Sequence, residues 1–162
     1  MSFLATESPP TPANEPAVGN DGWFPDVDLQ RLREECRLDG TVTAPRLRRA
    51  LLVAMSSVNA ELADYRTRQK AQGYARLLDV PSSQLGEERL TMVLYLRAIH
   101  AAVQTELTEV YRDIDTAAQS GGAQAAQMEQ RRLALKVDEH RRNLRWAISD
   151  LLGLRRTTVE LI

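Results

Sequence analysis

The sequence predicts an all-α protein: an elongated antiparallel helical bundle of one short and three long helices, with an extended arm before it and an extended tail after it. Three observations lead there. Apolar residues recur three and four positions apart along three long stretches. Gly, Pro and small-residue clusters interrupt the chain between them. Only 5% of residues are aromatic and 27% are charged, the balance of a soluble, mostly helical chain. The expected division is an arm over 1–22, a bundle over 23–153 and a tail over 154–162.

The arm holds four of the seven prolines, Pro9, Pro10, Pro12 and Pro16, and little apolar mass. Such a segment cannot run as a helix and favours polyproline-II-like extension. Residues 1–30 carry five acids and no Lys or Arg. The remainder therefore has 17 acidic against 21 basic residues, a net of +4 against −1 for the whole chain. Trp23, Phe24 and Pro25 form an apolar plug at the junction. It can pack on the bundle or clamp an adjacent subunit.

Asp28 is a good N-cap for a short helix carrying Leu29, Leu32 and Cys36, with Asp39-Gly40 as its stop. Pro45 suits the first turn of the next helix. That helix carries Leu47, Leu51, Ala54, Val58, Leu62 and Tyr65, spaced 4, 3, 4, 4 and 3, and is expected to continue to Ala71 before Gly73. At 1.5 Å per residue it would span roughly 40 Å. Residues 73–86 read as a connector too apolar to float free. A third helix is expected from Glu87 to Ala118, with Leu96, Ile99, Val103, Leu107, Val110 and Ile114 as its stripe and two acids at its start. After a small-residue break at 117–123, a fourth helix is expected over 124–152, with Leu133, Val137, His140, Leu144 and Leu151 facing inward and Gly153 closing it. The tail beyond has no helical period.

Sites of chemistry are scarce. The single Cys36 cannot form an internal disulfide, and no apolar run approaches the roughly 20 residues of a membrane span. An intracellular protein is the expectation, with no membrane contact. His100 and His140 lack the Glu three positions before them that a helical-bundle metal site uses, since Arg97 and Val137 stand there. No cofactor, metal or catalytic residue is expected. Arg46, Arg48 and Arg49 follow a short helix and a turn, superficially a helix-turn-helix, which gives the alternative of a DNA-binding packaging or regulatory protein. Trp146 falls off the main stripe of its helix, a candidate contact anchor.

The run Phe24-Pro25-Asp26-Val27-Asp28, then Arg31-Leu32-Arg33 and Thr41 to Arg48, resembles the head completion/stabilisation proteins of tailed myophages, the GPL family. The resemblance continues through Asn59-Ala60-Glu61-Leu62, Tyr65-Arg66, Gly73-Tyr74, Asp79-Val80-Pro81, Tyr95, Tyr111-Arg112, Arg145-Trp146-Ala147, Gly153 and Ile162. It covers roughly residues 23–162, departing around Ser120 to Lys136. The resemblance implies a structural virion protein rather than an enzyme. It would sit at the head–tail junction after assembly in the host cytoplasm, help retain packaged DNA and offer a platform to the tail. The implied partners are the portal protein, a tail-terminator or neck protein, the capsid, packaged DNA without sequence preference, and further copies in a dodecameric ring. By analogy with related adaptors, Arg155, Arg156, Val159, Leu161 and Ile162 would grip the portal. Trp23, Phe24, Pro25 and Trp146 would anchor the arm or a neighbouring subunit.

Overall fold

The computed structural model describes residues 15–117 and 123–154. They form five α-helices: α1 (Leu29–Glu35), α2 (Ala44–Glu61), α3 (Ala63–Ala71), α4 (Leu90–Ala117) and α5 (Ala123–Leu151). Between α3 and α4 lie a 3-10 turn, Leu77–Asp79, and a small antiparallel hairpin, β1 (Gln84–Leu85) with β2 (Glu88–Arg89). The mainly helical class holds, and the hairpin is an addition to the all-α expectation.

The helix α4 organises the core because α2 packs on one side of it and α5 on the other. Its buried face is correspondingly wide: Leu94, Tyr95, Ala98, Ile99, Ala102 and Val103 are all inside. A helix touched from two sides needs apolar or small residues over more than the usual stripe. The whole expected stripe of α2 and α3, from Leu47 to Tyr65, is buried. On α5, Val137, Ala147, Ile148 and Leu151 are buried.

Four boundaries differ from the sequence-based expectation. First, α1 stops at Cys36, not at Asp39-Gly40. Arg37 takes the left-handed conformation (φ 53°), and the Leu38 and Arg37 amides donate to the carbonyls of Arg33 and Glu34. That closing geometry normally uses Gly. Gly73 supplies it after α3 (φ 94°), with Tyr74 N–H on Gln69 O and Gly73 N–H on Lys70 O. Second, the helix expected to run from 45 to 71 is interrupted at Leu62 (φ −93°, ψ 8°). Just beyond it, Tyr65 and Arg66 meet Trp23, Phe24 and Asp21. Third, Glu87 and Glu88 do not open a helix. Glu88 pairs with Leu85 across the hairpin, Gly86 (φ 60°) makes the tight turn, and α4 begins at Leu90.

Fourth, the end of the expected arm belongs to the body. Val18 exchanges both backbone hydrogen bonds with Val27 (2.8 and 3.0 Å), and both residues are buried. Glu15 is buried against Arg33. Arg33 Nε and Nη2 donate to its two carboxylate oxygens at 2.8 and 2.6 Å, and Nη1 donates to Asp39 O and Val42 O. Residues 1–14 and 155–162 lie outside the described residues.

Breaking a buried ion pair leaves a charge without a partner, at a cost of about 3–5 kcal/mol. We therefore expect Glu15→Ala to lower the urea midpoint strongly, whereas Glu15→Leu with Arg33→Met recovers part of the loss, the Asp39 and Val42 carbonyls then lacking their donor. Arg37→Gly should raise stability by about 1 kcal/mol, because the left-handed conformation costs an L-residue roughly 1–2 kcal/mol.

Candidate interaction surfaces

Trp23 and Phe24 are buried, and the rings around them fix the root of the arm. Phe24 stacks on Tyr95 of α4 (4.9 Å, 12°), Trp23 meets Phe24 edge-on (4.8 Å) and Tyr65 lies 6.2 Å from Trp23. Trp23 Nε1 donates to Tyr74 O, and the Leu77 amide donates to Trp23 O. The aromatic faces are thus directed into this chain's own core. Pro25, half-buried, is the part of the plug nearest the surface.

Tyr95 also closes a polar ring. Its hydroxyl donates to Asn59 Oδ1 and accepts from Asn20 Nδ2, both at 2.8 Å, while Asn59 Nδ2 donates to Asn20 Oδ1 at 2.8 Å. Three distant stretches are joined by three side chains whose polar groups satisfy one another. Burial raises the phenol's pKa, so it stays a neutral donor. Beside it, Asp21 accepts from the Trp23 and Phe24 amides and pairs with Arg66. Partial burial opposes its ionisation, but those amides and Arg66 outweigh it and hold the carboxyl below its ordinary value.

The outward faces are less occupied. On α2, Arg46, Arg48 and Arg49 are exposed, with Leu52 and Val53 beyond them. Eight residues, 36–43, separate α1 from α2, longer than the three- or four-residue turn of a helix-turn-helix. On α5, Met128 and Leu135 are 75% and 65% exposed, on the side away from the inward stripe. Trp146 lies on that same side and is half-buried, with the Arg142 guanidinium 5.2 Å from its ring centroid. The expected portal-gripping residues Arg155, Arg156, Val159, Leu161 and Ile162 lie outside the described residues. Leu154, just before them, is exposed.

His100 lines a depression of about 360 Å³ between α1, α4 and α5. Its Nδ1 lies 3.1 Å from Glu35, whose carboxylate also holds Arg31, and Arg31 reaches Glu88. Burial lowers the His100 pKa, with Glu35 opposing and Arg31 reinforcing. Among the described residues no cluster of three or more His, Cys, Asp or Glu could hold a metal. Cys36 is half-buried, and burial pushes its thiol up to about 12. No helix among the described residues is long and apolar enough to cross a membrane.

The family model for the phage head completion protein (GPL) matches residues 18–162. The chain belongs to the phage head completion protein family. It is 38% identical over 154 residues to the head completion/stabilization protein of Escherichia phage P2, covering 94% of this chain and 88% of that protein. No solved structure matches it. The family match begins at Val18, which pairs through its backbone with Val27. A head completion protein is a structural component of the virion, and its working surfaces are contacts with other phage head and tail proteins. What sequence reasoning missed in this family member is the polar ring of Asn20, Asn59 and Tyr95. Its members stand 36 to 75 positions apart, with no local pattern to connect them.

Tyr95→Phe should cost about 1–3 kcal/mol, because Asn20 and Asn59 each lose a partner where water is scarce. A urea titration measures it. The His100 contribution has a definite sign with pH. Its folded-state value is depressed, so the stability it contributes is present above the ordinary 6.5 and is lost as pH falls from there through the folded value. His100→Gln should flatten the thermal midpoint over that acid limb and leave it little changed above pH 7.

Proposed function

We propose that this chain completes the DNA-filled phage head by forming a ring under the portal. There it helps retain the packaged genome and presents the surface on which the tail docks. The observation that carries this reading is the 38% identity, over nearly the whole chain, to a protein named for head completion and stabilization. The exposed apolar residues support it. Leu52 and Val53 on α2, and Met128 and Leu135 on α5, give two outward faces able to meet neighbours. Twelve copies, matching the portal, would each add modest contacts that combine through avidity.

In this reading the tail grips the portal. Arg155 and Arg156 supply charge, and Val159, Leu161 and Ile162 supply apolar side chains. Trp23, Phe24 and Pro25 hold the root of the arm rigid so that the arm can clasp a neighbour. Trp146, under Arg142, is a contact anchor on α5. The tail-terminator or neck protein and the capsid are the further partners. Packaged DNA is met only through non-specific charge. Assembly takes place in the host cytoplasm.

Native mass measurement with the cognate portal tests this. Full-length protein should decorate the portal as a twelve-copy ring, and a chain ending at Gly153 should lose at least tenfold in affinity, the removal of about 1.4 kcal/mol or more of tail contact. Equal binding by the truncated chain would remove the tail from the interface. Binding of duplex DNA with no portal binding by either form would sink the adaptor reading.

A further inference from the structure

We propose that a pocket between α2 and α4 receives the N-terminal arm of a neighbouring copy, with Phe3 and Leu4 filling it and Glu7 meeting Arg46 and Arg49. This rests on the self-association proposed above and names a contact that would make it.

The pocket holds about 220 Å³ and is lined by Arg46, Arg49, Ala50, Glu106, Leu107 and Val110. That is below the roughly 300–1,000 Å³ of small-molecule sites and suits one or two apolar side chains. Val110 lies on the inward stripe of α4 yet is 45% exposed among the described residues, beside Arg46, Arg49 and Ala50 in the first two turns of α2. Arg46 and Arg49 form no ion pair or hydrogen bond among the described residues, although both are at the rim.

The arm has the matching chemistry. Phe3 and Leu4 are adjacent large apolar residues, and Glu7 is the single acid before Glu15. Extended, the step from Phe3 to Glu7 is about 13 Å, enough to run from a pocket floor to its rim. The arm's root is fixed at Glu15 by Arg33, which also bonds Val42 O, two residues before α2 begins. The pocket therefore lies only one to two helical turns from that root. Pro9, Pro10 and Pro12 stiffen the intervening spacer, which at about 3.1 Å per residue reaches some 34 Å from Glu15 to Leu4. That reach exceeds the one to two helical turns to its own pocket, so an extended spacer would deliver Phe3 and Leu4 to the next copy.

Disulfide trapping on the portal tests it. Leu4→Cys and Val110→Cys are placed on separately tagged chains, mixed with portal and mildly oxidised. A cross-linked pair containing both tags is expected, at least tenfold above a control in which Gln127→Cys replaces Val110→Cys. Cys36 is half-buried and does not compete. Arg46→Glu with Arg49→Glu should cut the yield roughly fivefold, and Glu7→Lys on the other chain should restore it. A ring that forms without the cross-link overturns the docking and leaves the ring standing. A doubly substituted chain that closes only on itself places the arm on its own body and also overturns it. If the chains neither gather on the portal nor cross-link, the ring reading fails together with the docking.

Discussion

Tyr95 stands where three parts of the chain meet, and most of the body depends on it. Its ring faces Phe24 and its hydroxyl is shared between Asn20 and Asn59. One side chain thus joins the N-terminal segment, α2 and α4 through both dispersion and hydrogen bonding. The two kinds of contact constrain each other. Stacking sets the ring plane, and the plane sets where the hydroxyl lies. A buried hydroxyl without partners would cost more than its hydrogen bonds contribute, so the arrangement stands only if all three residues are in place. Asn20 is held in turn by the Pro25 carbonyl and by the Asp21 amide, which carries the constraint into the turn that buries Trp23 and Phe24.

Glu15 and Arg33 make a second tie of a different character. Burying two charges is expensive, and their attraction offsets the desolvation only when the geometry is good and the remaining donors are used. Here the guanidinium is bidentate to the carboxylate and its other nitrogen reaches two backbone carbonyls in the α1–α2 link. An apolar pair could avoid the desolvation but would leave the Asp39 and Val42 carbonyls without their donor. The ionic version adds direction, fixing where residue 15 sits and at what level the chain enters the body. That matters for a protein whose preceding residues are expected to reach a partner.

The parts legible in the sequence were those written in local periodicity. The apolar spacing from Leu47 to Tyr65 identified the buried face of α2 and α3, and Gly73 and Gly153 marked helix ends. The parts that were not legible arise from contacts between distant residues. Arg37 in a left-handed conformation is a poor local choice that the surrounding packing enforces, so the Gly40 rule pointed three residues too far. The interruption at Leu62 has no Pro or Gly to signal it. Glu15 read as one more acid in a polar arm, because nothing nearby in sequence reveals the arginine 18 positions on. Of the interaction residues, Trp23 and Phe24 were found by size alone, and size does not say which way a ring will point.

The direction of those rings changes how the chain can work in an assembly. Aromatics used in an internal core cannot also be the adhesive between subunits, so adhesion must come from weaker surface features. These exist on the outward faces: isolated apolar residues on α2 and α5 set among arginines and other charged side chains. Any one of them is too small to hold two copies together, since a stable interface needs on the order of 1,000 Å². In the proposed ring that requirement would fall for each contact, because a subunit would be held on two sides and by its seat on the portal together. The division of labour follows from this. Strong, buried interactions around Tyr95 and Arg33 tie each body together, and weak, exposed ones would let copies of the proposed ring add singly and rearrange until it closes. A body that unfolded locally on binding would lose that cohesion, and the ties of Glu15 to Arg33 and of Asn20 to Tyr95 oppose such unfolding at the root of the arm.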